Sequence, residues 1–123
     1  MLNPQQQFGK TGESIALKEL TSLGYTILEK NFRAKPGEID IIAKDKETIV
    51  FVEVKARRTK NFGNAKYSIT LNKQRKISMA ALSYLKKKNK MKNKARFDVV
   101  IIHSDSNKNA VEIIKNAFDL AYT

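Results

Sequence analysis

The sequence predicts an α/β fold: a mixed central β-sheet flanked by helices in the order α-β-β-β-α-β, with a further C-terminal strand at an edge. Three observations carry this. Two segments, from Pro4 and from Leu71, repeat apolar residues at helical spacing. Two runs rich in β-branched residues, EIDIIA and TIVFVEVKA, are joined by a short polar link. A third such run, RFDVVIIH, follows the second helical segment, so strands and helices interleave. The 123 residues read as one domain, long enough to bury a single core.

Asn3-Pro4 opens the first helix, with Asn as N-cap and Pro at the first helical position. It runs through GESIALKELTSL and stops at Gly24. Glu13, Ala16, Leu20 and Leu23 share one face, so Glu13 points with the apolar stripe. Tyr25 to Arg33 reads as a strand and Ala34 to Gly37 as a turn. Glu38 to Ala43 and Thr48 to Ala56 form a hairpin around Lys44 to Glu47. Residues 57–69 show no period and read as a long basic loop. The second helix extends from Leu71 to about Lys88, with Thr70 as N-cap. Its apolar face is Ile77, Ala81, Tyr84 and Leu85, and Gln74 lies on the same side. A dense lysine run, Lys86 to Lys94, leads to a fourth strand over Arg96 to His103. A fifth, over Ala110 to Ala117, lies at an edge.

Composition narrows the chemistry. No cysteine and one histidine exclude disulfides, thiolate metal sites and histidine-cluster zinc, leaving oxygen ligands for any metal. No apolar run approaches a membrane span, and MLNPQQQFGK has no signal-peptide core, so the expected location is the cytoplasm. The net charge of +12 is unevenly placed. Residues 1–47 are neutral overall, residues 97–123 carry −2, and residues 48–96 carry +14 with Glu53 as their one acid. Such a segment fits a phosphate-bearing partner, which neutralises it through Lys and Arg. Its candidate contacts are Arg57, Arg58, Lys60, Lys66, Lys73, Gln74, Lys76, Lys86, Lys87 and Lys88. Phe62 and Tyr67, within the basic loop, either stack on unpaired bases or anchor the loop.

The third strand holds the chemical signal. Ile49, Phe51, Glu53 and Lys55 alternate onto one face, placing two charges in a strand that otherwise reads as buried. If the hairpin loop centres between Lys46 and Glu47, Asp40 lies opposite Glu53 and Glu38 opposite Lys55. Facing carboxylates repel unless a cation lies between them or one is protonated. Mg²⁺ or Mn²⁺ answers that need, held by Asp40 and Glu53 with Glu13 completing the shell directly or through a water. Lys55 would then orient the attacking water. A salt-bridge ladder that pins hairpin register is the alternative for any isolated E-x-K.

GEIDIIA followed by IVFVEVKAR, between a G-K-T-G-E helix and a K-Q-R-K-I helix, resembles the YraN family across roughly residues 8–103. These small bacterial proteins are regarded as endonuclease-like and similar to archaeal Holliday-junction resolvases. The resemblance implies the PD-(D/E)xK, restriction-endonuclease-like fold and Mg²⁺-dependent phosphodiester hydrolysis. It makes Asp40 the motif aspartate, Glu53 and Lys55 the E-x-K pair, and Glu13 the additional helix glutamate. Ile39 stands where the superfamily's name has proline. The expected function is a metal-dependent endonuclease on DNA, in preference to RNA, with branched DNA among its candidate substrates. The alternative is a non-catalytic nucleic-acid-binding module on the same scaffold. A homodimer follows only if four-way junctions are resolved symmetrically.

Overall fold

The computed structural model describes residues 4–58, 69–105 and 108–120. Asn3, Lys60, Phe62, Lys66 and Tyr67 lie outside the described residues, as does most of the expected basic loop. The elements are helix α1 (Pro4–Ser22), strands β1 (Thr26–Ala34), β2 (Gly37–Asp45) and β3 (Thr48–Arg58), helix α2 (Leu71–Lys87), and strands β4 (Lys94–Asp105) and β5 (Lys108–Phe118). They form one five-stranded sheet in the order β1-β2-β3-β4-β5. Neighbours run antiparallel except β3 and β4, which are parallel and connected across α2. This is the mixed α-β-β-β-α-β core with an edge strand that the sequence predicts.

Both faces of the sheet are covered, which explains the near-continuous apolar runs of its central strands. On one face α1 lays Ala16 and Leu20, both fully buried, over Ile41, Ala43, Val50, Val52, Val100 and Ile102. On the other, Ile77, Ala80, Ala81, Tyr84 and Leu85 of α2 pack on Ile42, Ile49, Phe51 and Phe97. The predicted apolar face of α2 is therefore the buried one.

The boundaries follow from local chemistry. Gly24, at φ +95, closes α1: its N–H donates to Thr21 O at 3.0 Å and that of Tyr25 to Leu20 O at 3.0 Å. These are the paired bonds of a glycine-terminated helix, with Tyr25 folded back onto the Leu20 side of the core. Tyr25 thus belongs to the cap and not to the first strand. Leu23, expected on the buried stripe, lies beyond the helix end and is 52% exposed. Thr70 caps α2 by accepting from Lys73 N–H at 3.2 Å, as expected. Arg57 and Arg58, expected in a loop, continue β3, because parallel pairing with β4 extends through Arg57↔His103 and Arg58↔Ser104.

The turn from β1 to β2 fixes α2 against the sheet. Lys35-Pro36 is cis, and a Cβ on Gly37 would run into the backbone carbonyl of Lys76. Only glycine lets the turn approach the helix so closely.

Candidate functional site

The site begins where β2 and β3 part. Their ladder runs from Asp45↔Thr48 to Ile41↔Val52, with the register expected from a loop centred between Lys46 and Glu47. It stops one step short of the pair Asp40/Glu53, and three short of Glu38/Lys55, that this register would add. Asn31 of β1 takes a positive φ of 53, and no ladder pair joins it to Asp40 although Lys30↔Ile41 and Phe32↔Ile39 flank them. Across this break Ile39 enters the α2-side core and Ile41 the α1-side core, so the simple alternation of β2 is lost at Asp40.

Asp40 uses that freedom to turn toward β3. Its Oδ2 accepts the Val54 N–H at 2.8 Å, taking the place of a backbone carbonyl. Glu53, between Val52 and Val54 in sequence, points to the opposite face from them and is only 7% exposed. Glu38 is not drawn in: it pairs with Arg33 at 3.6 Å on the exposed surface.

Two ammonium groups address the same oxygen of Glu53. Lys73 Nζ, from the first turn of α2, lies 3.6 Å from Oε1, and Lys55 Nζ lies 3.9 Å away. Both distances exceed hydrogen-bond length, and both lysines are partly exposed. They do not fully compensate the buried charge. Burial first, and the Asp40 charge second, push the Glu53 carboxyl up to about 7 against the pull of Lys73 and Lys55. Burial likewise raises Asp40, opposed by its bond from Val54 and by the Lys73 charge. Two neighbouring carboxyls, both raised by burial, could hold a divalent cation: both supply oxygen donors, and binding would remove the repulsion between them.

The other sequence-predicted residues fall into place unequally. Glu13 is half-buried on α1, next to Gly12, which sits against Ala56 on the α1 side of the sheet. Among the described residues no three His, Cys, Asp or Glu side chains form a group able to hold a metal. Its helix packs on the far face from Glu53. Gln74, inward-facing as expected, donates through Nε2 to Ile69 O at 2.8 Å and secures the entry to α2. Lys76 is exposed one turn beyond Lys73. Lys86, Lys87 and Lys88 are exposed at the opposite end of α2, about 20 Å along its axis from Lys73. Arg57 is half-buried farther along β3, while the Arg58 side chain lies outside the described residues.

Sequence reasoning missed the pairing of Lys73 with Glu53. A lysine three residues after a helix cap, with no acid in that first turn, was the available signal. It also missed a polar cluster on the other face. Arg96 donates from Nε to Asp98 Oδ1 at 3.0 Å and from Nη2 to Asp45 Oδ2 at 2.9 Å and Tyr25 Oη at 2.6 Å. Here the alternation R-x-D in a strand was the clue.

Fold and site together define an α/β protein with a mixed five-stranded sheet and a carboxylate pair where its second and third strands separate. The chain belongs to the family described as "Uncharacterised protein family UPF0102", the YraN-like group, whose model matches residues 12–102. It is 56% identical over 119 residues to a UPF0102 protein of Desulfosudis oleivorans, covering 97% of this chain and 95% of the relative. A UPF0102 protein of Geotalea daltonii is 50% identical over 121 residues, covering 98% and 95%. Among solved structures, that of Pyrococcus furiosus SfsA in complex with Ca²⁺ aligns with a TM-score of 0.43 at 16% identity, covering 92% of this chain and 63% of that one. No helix among the described residues is long and apolar enough to cross a membrane.

Proposed function

We propose that the chain is a divalent-metal-dependent endonuclease that hydrolyses phosphodiester bonds in DNA. The observation that carries this is the pair of coupled, largely buried carboxylates, Asp40 and Glu53, with the Lys55 ammonium beside them. Bound between the two, Mg²⁺ or Mn²⁺ would polarise the scissile phosphate and make a water acidic enough to attack near neutral pH. Asp40 is held in place for that duty by the Val54 N–H. Lys55, partly open to solvent, orients the attacking water and offsets charge that develops on the phosphate.

Arg57, farther along β3, and Lys76, on the exposed side of α2, offer charges to the backbone on either side. The +14 segment supplies the general affinity. The resemblance to resolvase-like nucleases favours DNA as the substrate.

The test is incubation with branched, nicked, single- and double-stranded DNA in Mg²⁺ or Mn²⁺, beside Asp40→Asn and Glu53→Gln. Cleavage by the wild type and its loss in both variants is the expected result. Equal cleavage by the variants overturns the assignment. Salt-sensitive binding to these DNAs without any cleavage establishes instead a nucleic-acid-binding module on the same scaffold.

A further inference from the structure

We infer that Lys73 is a counter-ion gate: its ammonium stands in for a divalent cation at Glu53, is displaced when the cation binds, and then takes a phosphate of the nucleic-acid strand. This rests on the metal-site reading above and adds to it a link between metal and strand binding.

The geometry is specific. Lys73 Nζ is closer to Glu53 Oε1 than is Lys55, the neighbour two residues along the strand, at 3.6 against 3.9 Å. The Lys73 backbone is fixed, because its N–H is held by the Thr70 cap. Its side chain, 46% exposed, is free to swing on four carbons toward solvent. Lys73 therefore has a pinned base and a movable charge.

Its position in the helix explains why it would move. The first turn of α2 carries Lys73 and no acid, although a helix N-terminus is positive and disfavours a cation. Glu53 offsets that cost while its charge is available to Lys73. A divalent cation at Asp40 and Glu53 takes the charge away and adds repulsion. Lys73 is then a cation beside two other positive ends, with an anion as its favourable partner. Arg75 and Lys76, both exposed, strengthen the same demand for an anion. Cation and strand thus each favour the swung-out lysine, and by linkage each must strengthen the binding of the other.

Calorimetric titration of the full chain with Mn²⁺, for wild type, Lys73→Met and Lys73→Arg, reads the gate without any catalytic assay. The expected result is roughly three- to tenfold tighter Mn²⁺ binding by Lys73→Met, since a competing charge a few ångströms away is gone. Lys73→Arg should stay within about twofold of the wild type, because it keeps that charge. Reductive methylation followed by mass spectrometry supplies a second readout: saturating Mn²⁺ should make the Lys73 amine more reactive in the wild type. Mn²⁺ binding by the wild type that Lys73→Met leaves unchanged or weakens overturns the gate alone. Absence of Mn²⁺ binding in all three proteins overturns both the gate and the metal reading. Circular dichroism confirms that each variant is folded.

Discussion

Asp98 and Glu53 are both buried carboxylates, on adjacent strands and one step apart in register, since Asp98 pairs with Val52. They point to opposite faces of the sheet and are treated in opposite ways. Asp98, with no exposure, receives the Arg96 guanidinium at 3.0 and 3.2 Å and the Asn116 N–H at 3.0 Å. Arg96 is shared with Asp45 and Tyr25. Burial works against the guanidinium charge, but bonds to Asp98 and Asp45 outweigh it and keep Arg96 firmly protonated. Among the described residues Glu53 is met by two lysines, at 3.6 and 3.9 Å, and has a second carboxylate as a neighbour. The lesson is that a buried charge serving the fold is closed by direct hydrogen bonds. One left half-compensated costs stability, and such sites are where ligands and chemistry are found.

The largest effect should come from opening the closed cluster. Arg96→Met leaves Asp98 buried without its cation and should cost about 3–5 kcal/mol in urea unfolding. A loss below about 1 kcal/mol would mean that the two clusters are not different in kind.

Glu53→Gln should act with the opposite sign. The folded state holds the Glu53 proton more tightly than the unfolded chain, at about 7 against an ordinary 4.5. Ionisation therefore opposes folding, and stability is lost as pH rises through that window. At pH 8 the variant should exceed the wild type by roughly 2 kcal/mol, and near pH 4 the two should converge. Equal stability at both pH values would show that the site carries no stored repulsion.

A smaller effect should follow from Thr70→Ala, which removes the α2 cap. It should cost about 1 kcal/mol and perturb the Val54 and Glu53 amide resonances, while those of Arg96 and Asn116 stay in place. Shifts spread equally over both clusters would undo the contrast, because only one of them depends on where α2 begins.

Much of this was legible before folding. The arithmetic that centred the hairpin between Lys46 and Glu47 gave the register of residues 41–45 against 48–52, because alternation and a two-residue turn constrain it locally. The same arithmetic failed at Asp40. The break there coincides with Asn31, a residue of the neighbouring strand with a left-handed backbone, and with Ile39 and Ile41 serving different cores. Composition marked Lys73 and Lys86 to Lys88 alike as basic. The helix separates them by about 20 Å and brings only Lys73 to Glu53.

By itself, the sequence determined the elements, their amphipathic faces and the one acid in its basic segment, since these depend on spacing along the chain. Only the tertiary structure decided which charges are closed and which are left open. That outcome depends on distances between residues far apart in sequence: Val54 with Asp40, Lys73 with Glu53, and Arg96 with Asp45. The strength of a buried charge's interactions falls with those distances and with the water excluded around it, and neither is a property of one segment alone.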